Sequence, residues 1–224
     1  MPSAAKQQLI DAMSLARFEF CRSQVEVPEL NRPTARPEGL PGFGRVAAVM
    51  ILVFSNTDEN EPTDKGLGDS VVVLTKRNAN LSAHASQISF PGGQQNIGET
   101  LKQTALRETQ EEVGVAASQI EVLGRLSPVY IPPSDFTVTP FVGWHPGRPS
   151  FVRCEAEVDK IIETPLKRLL EPTSLVVDDF IQSGGRSLMV PYYRVGPDKV
   201  WGATAVMLGE LVERLSQAIQ NSNH

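Results

Sequence analysis

Cysteine is nearly missing from this chain: its 224 residues hold only Cys21 and Cys154. Two thiols make no disulfide framework and are too few for a zinc cage, so they read as inert thiols in a reducing compartment. Long apolar runs are missing too. The longest, Val46 to Phe54, falls well short of the roughly 20 residues a membrane-spanning helix needs. The start, Met1-Pro2-Ser3-Ala4-Ala5-Lys6, shows no basic stretch leading into an apolar one, so no secretory leader is expected. The end, Asn221-Ser222-Asn223-His224, is not the tripeptide of a peroxisomal address. A cytoplasmic protein without a membrane partner is the expectation. Positive charge is also short, with 21 Lys and Arg against 26 Asp and Glu and a formal charge of −5. Such a chain suits neither nucleic acid nor anionic lipid, and a small polyanionic substrate would need a local cation to screen it.

What is present is ordinary globular material. Hydrophobic residues make up 41% and charged residues 21%, and the length suits one domain with a sizeable core. Leu9, Ile10, Met13, Ala16 and Phe20 recur at helical spacing over the first 20 or so residues. Pro28, Pro33, Pro37 and Pro41 then predict an extended connection from Val27 to Gly44. Strands are expected at Val46–Phe54 and Val71–Thr75, joined as a hairpin by a long polar tip. Thr100 with Gln103 forms a capping-box pattern that opens a helix to Val113, and Gly114 closes it. Further strands are expected near Ile120–Leu126, Thr137–Trp144, Glu157–Thr164 and Leu188–Tyr193, with a short helical turn at Pro165–Leu170. Ala203–Ile219 reads as a terminal helix packed through Met207, Leu208, Leu211 and Leu215. Without a regular βαβ alternation, the pattern favours a mixed sheet between helices.

The sharpest chemical feature is Arg107-Glu108-Thr109-Gln110-Glu111-Glu112. On a helix Glu108 and Glu112 lie one turn apart on one face, with Glu111 beside them. Like charges at that spacing are mutually unfavourable, and a hard divalent cation that takes oxygen ligands would relieve them. Alone, the pattern describes a solvated helix face more readily than a metal site. Upstream stand Phe90-Pro91-Gly92-Gly93 and Glu99. The paired glycines allow a tight turn with a backbone carbonyl near a metal, and Glu99 and Arg107 are placed to fix loop against helix.

Gly93, Glu99, Arg107-Glu108, Glu111-Glu112, Gly114 and Val115 stand at the spacings of the Nudix box, which this segment resembles; Thr109 occupies a position where an aliphatic residue is usual. The resemblance implies an α/β Nudix fold, an α/β/α sandwich with a mixed sheet. Residues 45–219 would form the single hydrolase domain, 1–44 a helix and connection packed on it, and 220–224 a tail. It also implies that Glu108 and Glu112 ligate Mg²⁺ or Mn²⁺. Glu111 would be a further ligand or the base that orients water, and the Gly92 carbonyl would complete the shell. Gly93, Glu99, Arg107 and Gly114 would be structural. The implied reaction is hydrolysis of a nucleoside diphosphate derivative at its P–O–P bridge.

Leu74-Thr75-Lys76-Arg77, His84, Gln87-Ile88-Ser89 and Phe90-Pro91-Gly92-Gly93 are similar to the signature of the coenzyme A diphosphatase branch of that family. Tyr130-Ile131-Pro132-Pro133-Ser134, Val138-Thr139-Pro140-Phe141-Val142 and Trp201-Gly202-Ala203-Thr204 resemble the same branch. Arg77 and Lys76 are the candidate phosphate contacts, His84 a further substrate contact, and Glu157 the additional carboxylate that Nudix proteins often bring from late in the chain. Three positions depart from the branch: Ser82 stands where it has Arg, Ser86 where it has Gly, and Asn78 where it has a smaller Ser or Ala. An arginine would suit the 3′-phosphate of coenzyme A. Its absence points to another substrate such as ADP-ribose, NADH or a dinucleotide; a non-catalytic domain that senses a nucleotide is a separate alternative. Oligomeric state is not legible, and a homodimer remains open.

Overall fold

The apolar run that dominates the sequence becomes the central strand, β1 (Arg45–Ser55). Its side chains alternate between two cores. Ala47, Ile51 and Val53 face one hydrophobic cluster, while Ala48, Met50, Leu52 and Phe54 face a second. A strand covered on both faces needs a continuous apolar run instead of an alternating one, which is what this stretch provides. The computed structural model describes residues 3–15, 35–38, 40, 44–56, 66–79, 86–181 and 187–222. The expected Pro-rich connection, the hairpin tip, His84 and Ser82 fall wholly or largely outside these.

Helix α1 (Ala4–Met13) precedes β1. It buries Leu9 and Ala12 and is shorter than the 20 residues expected, since Ser14 caps it; Ala16 and Phe20 lie outside the described residues. After β1 come β2 (Ser70–Arg77), the short strands β3 (Ile88–Ser89) and β4 (Gly92–Gln94), and helix α2 (Leu101–Val113). Then follow β5 (Glu121–Arg125), β6 (Val129–Ile131), β7 (Phe136–His145), β8 (Val158–Pro165) and α3 (Leu166–Leu169). The chain ends in β9 (Leu175–Ile181), β10 (Ser187–Val195), β11 (Asp198–Trp201) and α4 (Gly202–Ser222).

Among the described residues the main sheet has eight strands and is mixed. β1 runs parallel to β7, from Arg45 opposite Phe136 to Phe54 opposite His145. Its other edge is shared: β2 pairs antiparallel with the far end, Val53 opposite Val72, and β4 with the near end, Val49 opposite Gly92. Helices α1 and α4 cover one face and α2 the other, which makes an α/β/α sandwich.

Several features were not foreseen. The strand expected at Leu188–Tyr193 is the middle of a separate three-stranded antiparallel sheet, β11-β10-β9. β6 forms between Pro128 and the pair Pro132 and Pro133, which stand just past its last residue. Glu210, in the apolar stripe of α4, is 3% exposed. It accepts hydrogen bonds from the Ser127 amide (3.0 Å), the Ser127 hydroxyl (3.2 Å) and Arg214 Nε (3.0 Å), which ties α4 to the turn before β6. No helix among the described residues is long and apolar enough to cross a membrane.

Candidate active site

Helix α2 is set by its ends. The Thr100 hydroxyl accepts from the Gln103 amide (3.3 Å), and the Gln103 side chain accepts from the Thr100 amide (2.8 Å), so the sequence-predicted capping box is formed. Gly114 terminates the helix at φ +79°, in the left-handed region. The last carbonyls are taken up by the loop before β8: Val152 N donates to Val113 O (3.0 Å) and Cys154 N to Glu112 O (3.0 Å). This fixed helix presents Glu108 and Glu112 toward β4 and the end of β2.

The glycine pair has a steric reason. A Cβ on Gly93 would stand 2.5 Å from the Glu108 carboxylate, and one on Gly92 the same distance from the Ala48 carbonyl. Only a strand without side chains lets the helix carboxylates come against its backbone. Arg107 links this strand to the helix. Its Nε and Nη2 bind the two oxygens of Glu99 (2.6 and 3.1 Å), and Nη2 also reaches Gln94 O (3.2 Å). The pairing of Glu99 with Arg107 expected from the sequence is thus present, and it holds the Glu99 carboxyl at about 2, well below its ordinary 4.5. Nη1 of the same guanidinium contacts Glu108 (2.7 Å) and Glu111 (3.0 Å), which the spacing alone did not reveal.

Negative charge accumulates around the pair. Glu112 is 3% exposed, and burial, with Glu108 and Glu157 nearby, pushes its carboxyl up to about 8 against the pull of Arg77 and of a hydrogen bond with the Gly92 backbone. Glu108 is also raised, first by burial; Arg107 opposes the shift, and Glu111 and Glu157 add to it. Among the described residues no three His, Cys, Asp or Glu side chains are gathered at metal-ligating distance; Glu108 and Glu111 both contact Arg107. The donor set still fits a hard divalent cation: carboxylates crowded in a partly buried site, one of them driven toward its neutral form chiefly by burial.

The other candidate residues separate. Arg77 ends β2 opposite Val158 and faces Glu112 electrostatically. Its Nε is buried and has no hydrogen-bond partner among the described residues, an orphaned donor at the mouth of the site. Glu157 lies beside it, its amide donating to Cys154 O (3.1 Å) and its carbonyl accepting from Asn78 N (2.8 Å). Lys76 is not brought to the carboxylates. It projects from the opposite face of β2, and its Nζ pairs with Asp198 of β11 at 2.9 Å. The expected phosphate contact is therefore a tether between the two sheets. Ser86 stands at φ +60°, which explains why glycine suits this position in the branch.

Layers, strand order and a carboxylate-bearing helix against a double glycine define a Nudix-type domain. The NUDIX domain family pattern matches residues 44–179. The uncharacterized Nudix hydrolase NudL of Photorhabdus laumondii is 33% identical over 180 residues, covering 80% of this chain and 89% of that protein. NudL of Yersinia pestis is 31% identical over 211 residues, covering 93% and 98%. Among solved structures, a MutT/nudix family protein from Enterococcus faecalis has a TM-score of 0.51 at 14% identity, covering 97% of this chain and 76% of that one. A Nudix hydrolase from M. smegmatis, RenU, has a TM-score of 0.50 at 17% identity, covering 80% and 89%. The chain belongs to the Nudix hydrolase family, enzymes that cleave nucleoside diphosphate derivatives and generally use divalent metal ions.

Proposed function

We propose that this enzyme is a Mg²⁺- or Mn²⁺-dependent pyrophosphohydrolase of coenzyme A and its acyl derivatives. Water would cleave the P–O–P bridge to give 4′-phosphopantetheine, or its acyl form, and adenosine 3′,5′-bisphosphate. The observation that carries the reading is the convergence of the branch signature on the helix carboxylates. Arg77 and Gly92-Gly93, from the two ends of that signature, stand against Glu112 and Glu108. A divalent cation, when bound, supplies charge neutralisation of the anhydride oxygens and a more acidic water. Glu108 and Glu112 would hold it, aided by the Gly92 carbonyl, with Glu157 as an added donor from the loop before β8. Glu111, the most exposed of the helix glutamates, serves as a further ligand or takes the proton of the attacking water. Arg77 offers its unpaired Nε–H to a phosphate oxygen. Glu99 and Arg107 keep the Gly93–Thr100 loop in register with the helix.

Ser82, in place of the signature arginine, favours a second reading in which the substrate is another nucleoside diphosphate derivative such as ADP-ribose or NADH. Purified protein with Mn²⁺ or Mg²⁺, offered coenzyme A, acetyl-coenzyme A, ADP-ribose and NADH in parallel, separates the two. Preferred turnover of the coenzyme A compounds is expected, rising further in Ser82→Arg. Cleavage of ADP-ribose with coenzyme A untouched would overturn the first reading and leave the second.

A further inference from the structure

Asn78 is one of the three departures from the branch signature, and its surroundings give it a task. It follows the last residue of β2, directly after Arg77. Its main-chain amide donates to Glu157 O (2.8 Å), and its side-chain Nδ2 donates to Glu155 O (2.8 Å). Both acceptors belong to the loop whose Cys154 amide caps the Glu112 carbonyl of α2 and whose Cys154 carbonyl accepts from the amides of Glu157 (3.1 Å) and Val158 (2.9 Å). The loop is thus pinned at one end to the catalytic-side helix and at the other to the signature strand. Asn78 makes the second attachment. Serine or alanine at that position would keep the main-chain bond; serine's hydroxyl is too short to reach the same carbonyl, and alanine has no donor.

We propose that Asn78 is a positioning residue, whose side-chain amide holds the 155–157 loop so that the Glu157 carboxylate adds to the divalent-cation site formed by Glu108 and Glu112. Glu157 already acts electrostatically on both glutamates, in keeping with this placement. The inference rests on the metal-dependent reading above. It adds that the chain has traded a small residue for an amide that stiffens the one carboxylate delivered by a loop instead of by α2. Backbone carbonyls of exposed loops bond equally well to water, so the amide's contribution is geometric: it narrows the range of Glu157 positions and preserves cation affinity.

The test uses Mn²⁺ alone as probe, on the full chain, with free Mn²⁺ read by electron paramagnetic resonance. Wild type, Asn78→Ser, Asn78→Ala, Glu157→Gln and the Asn78→Ser/Glu157→Gln double variant are titrated at one pH, with thermal midpoints recorded alongside. The Kd for Mn²⁺ is expected to rise roughly 10-fold in Asn78→Ser and Asn78→Ala, as for loss of an outer-shell support. It should rise at least as much in Glu157→Gln and no further in the double variant. Wild-type affinity in folded Asn78→Ser or Asn78→Ala, or effects of Asn78→Ser and Glu157→Gln that multiply, would overturn the proposal alone. Failure of the wild-type chain to bind Mn²⁺ would instead remove the metal-dependent reading, and this proposal with it.

Discussion

Single residues here are read best through their neighbours. Glu99 and Glu112 are both glutamates in or beside one motif, yet the first is held near 2 by Arg107 and the second is pushed to about 8 by burial. Their consequences for stability have opposite signs. Glu99 has a lower pKa folded than unfolded, so its contribution is complete above about 4.5 and is lost as pH falls through 2. Glu99→Gln should therefore lower the urea midpoint at pH 7 and lower it less at pH 3, as denaturation series at the two values would reveal. Ser86 carries a local strain instead. At φ +60° a side chain costs on the order of 1 kcal/mol, and Ser86→Gly should stabilise the protein by about that much in the same assay. Charge pairs of this kind were only partly legible in the sequence. Glu99 and Arg107 lie eight residues apart in one motif, whereas Lys76 and Asp198 are joined across 122 positions, and no spacing rule connects them.

Elements were most legible where local chemistry sets them. Thr100, Gln103 and Gly114 mark both ends of α2, and the folded helix uses all three as expected. The run from Val46 to Phe54 announced a buried strand, though not that its edge would be divided between β2 and β4. Two- and three-residue strands such as β3 and β4 carry too little pattern to be seen; they exist because β1 and β2 offer them an edge. The β9–β11 sheet was reduced to one strand because its exposed face interrupts the apolar alternation. Glu210 was hidden by the helical stripe around it. As an almost fully buried carboxylate paired with Arg214, it should be costly to remove: Glu210→Ala is expected to destabilise the fold by about 3–5 kcal/mol, measured by chemical denaturation.

At the scale of the whole molecule, the net charge of −5 misdescribes the one place where phosphates are to be met. Part of the acidity is concentrated at Glu108, Glu111, Glu112 and Glu157, where the proposed cation would invert the local sign. The metal-free protein should show the strain. Glu112 binds a proton more tightly folded than unfolded, so between about 4.5 and 8 stability should fall as pH rises. A divalent cation needs the ionised carboxylate, so its binding should release protons below pH 8 and raise the thermal midpoint more at pH 8 than at pH 6. Thermal scans at pH 6 and pH 8, with and without saturating Mn²⁺, would check this, and Glu112→Gln should flatten both dependences.

If this carboxylate cluster drives hydrolysis of the coenzyme A anhydride, loss of Glu112 must slow it. Chromatography of coenzyme A incubated with Mn²⁺ and either wild-type protein or Glu112→Gln tests it most directly. Adenosine 3′,5′-bisphosphate and 4′-phosphopantetheine are expected in equal amounts from wild type, slowed roughly 10²–10⁴-fold in the variant. Intact coenzyme A with wild type, or equal rates for the two proteins, would contradict it.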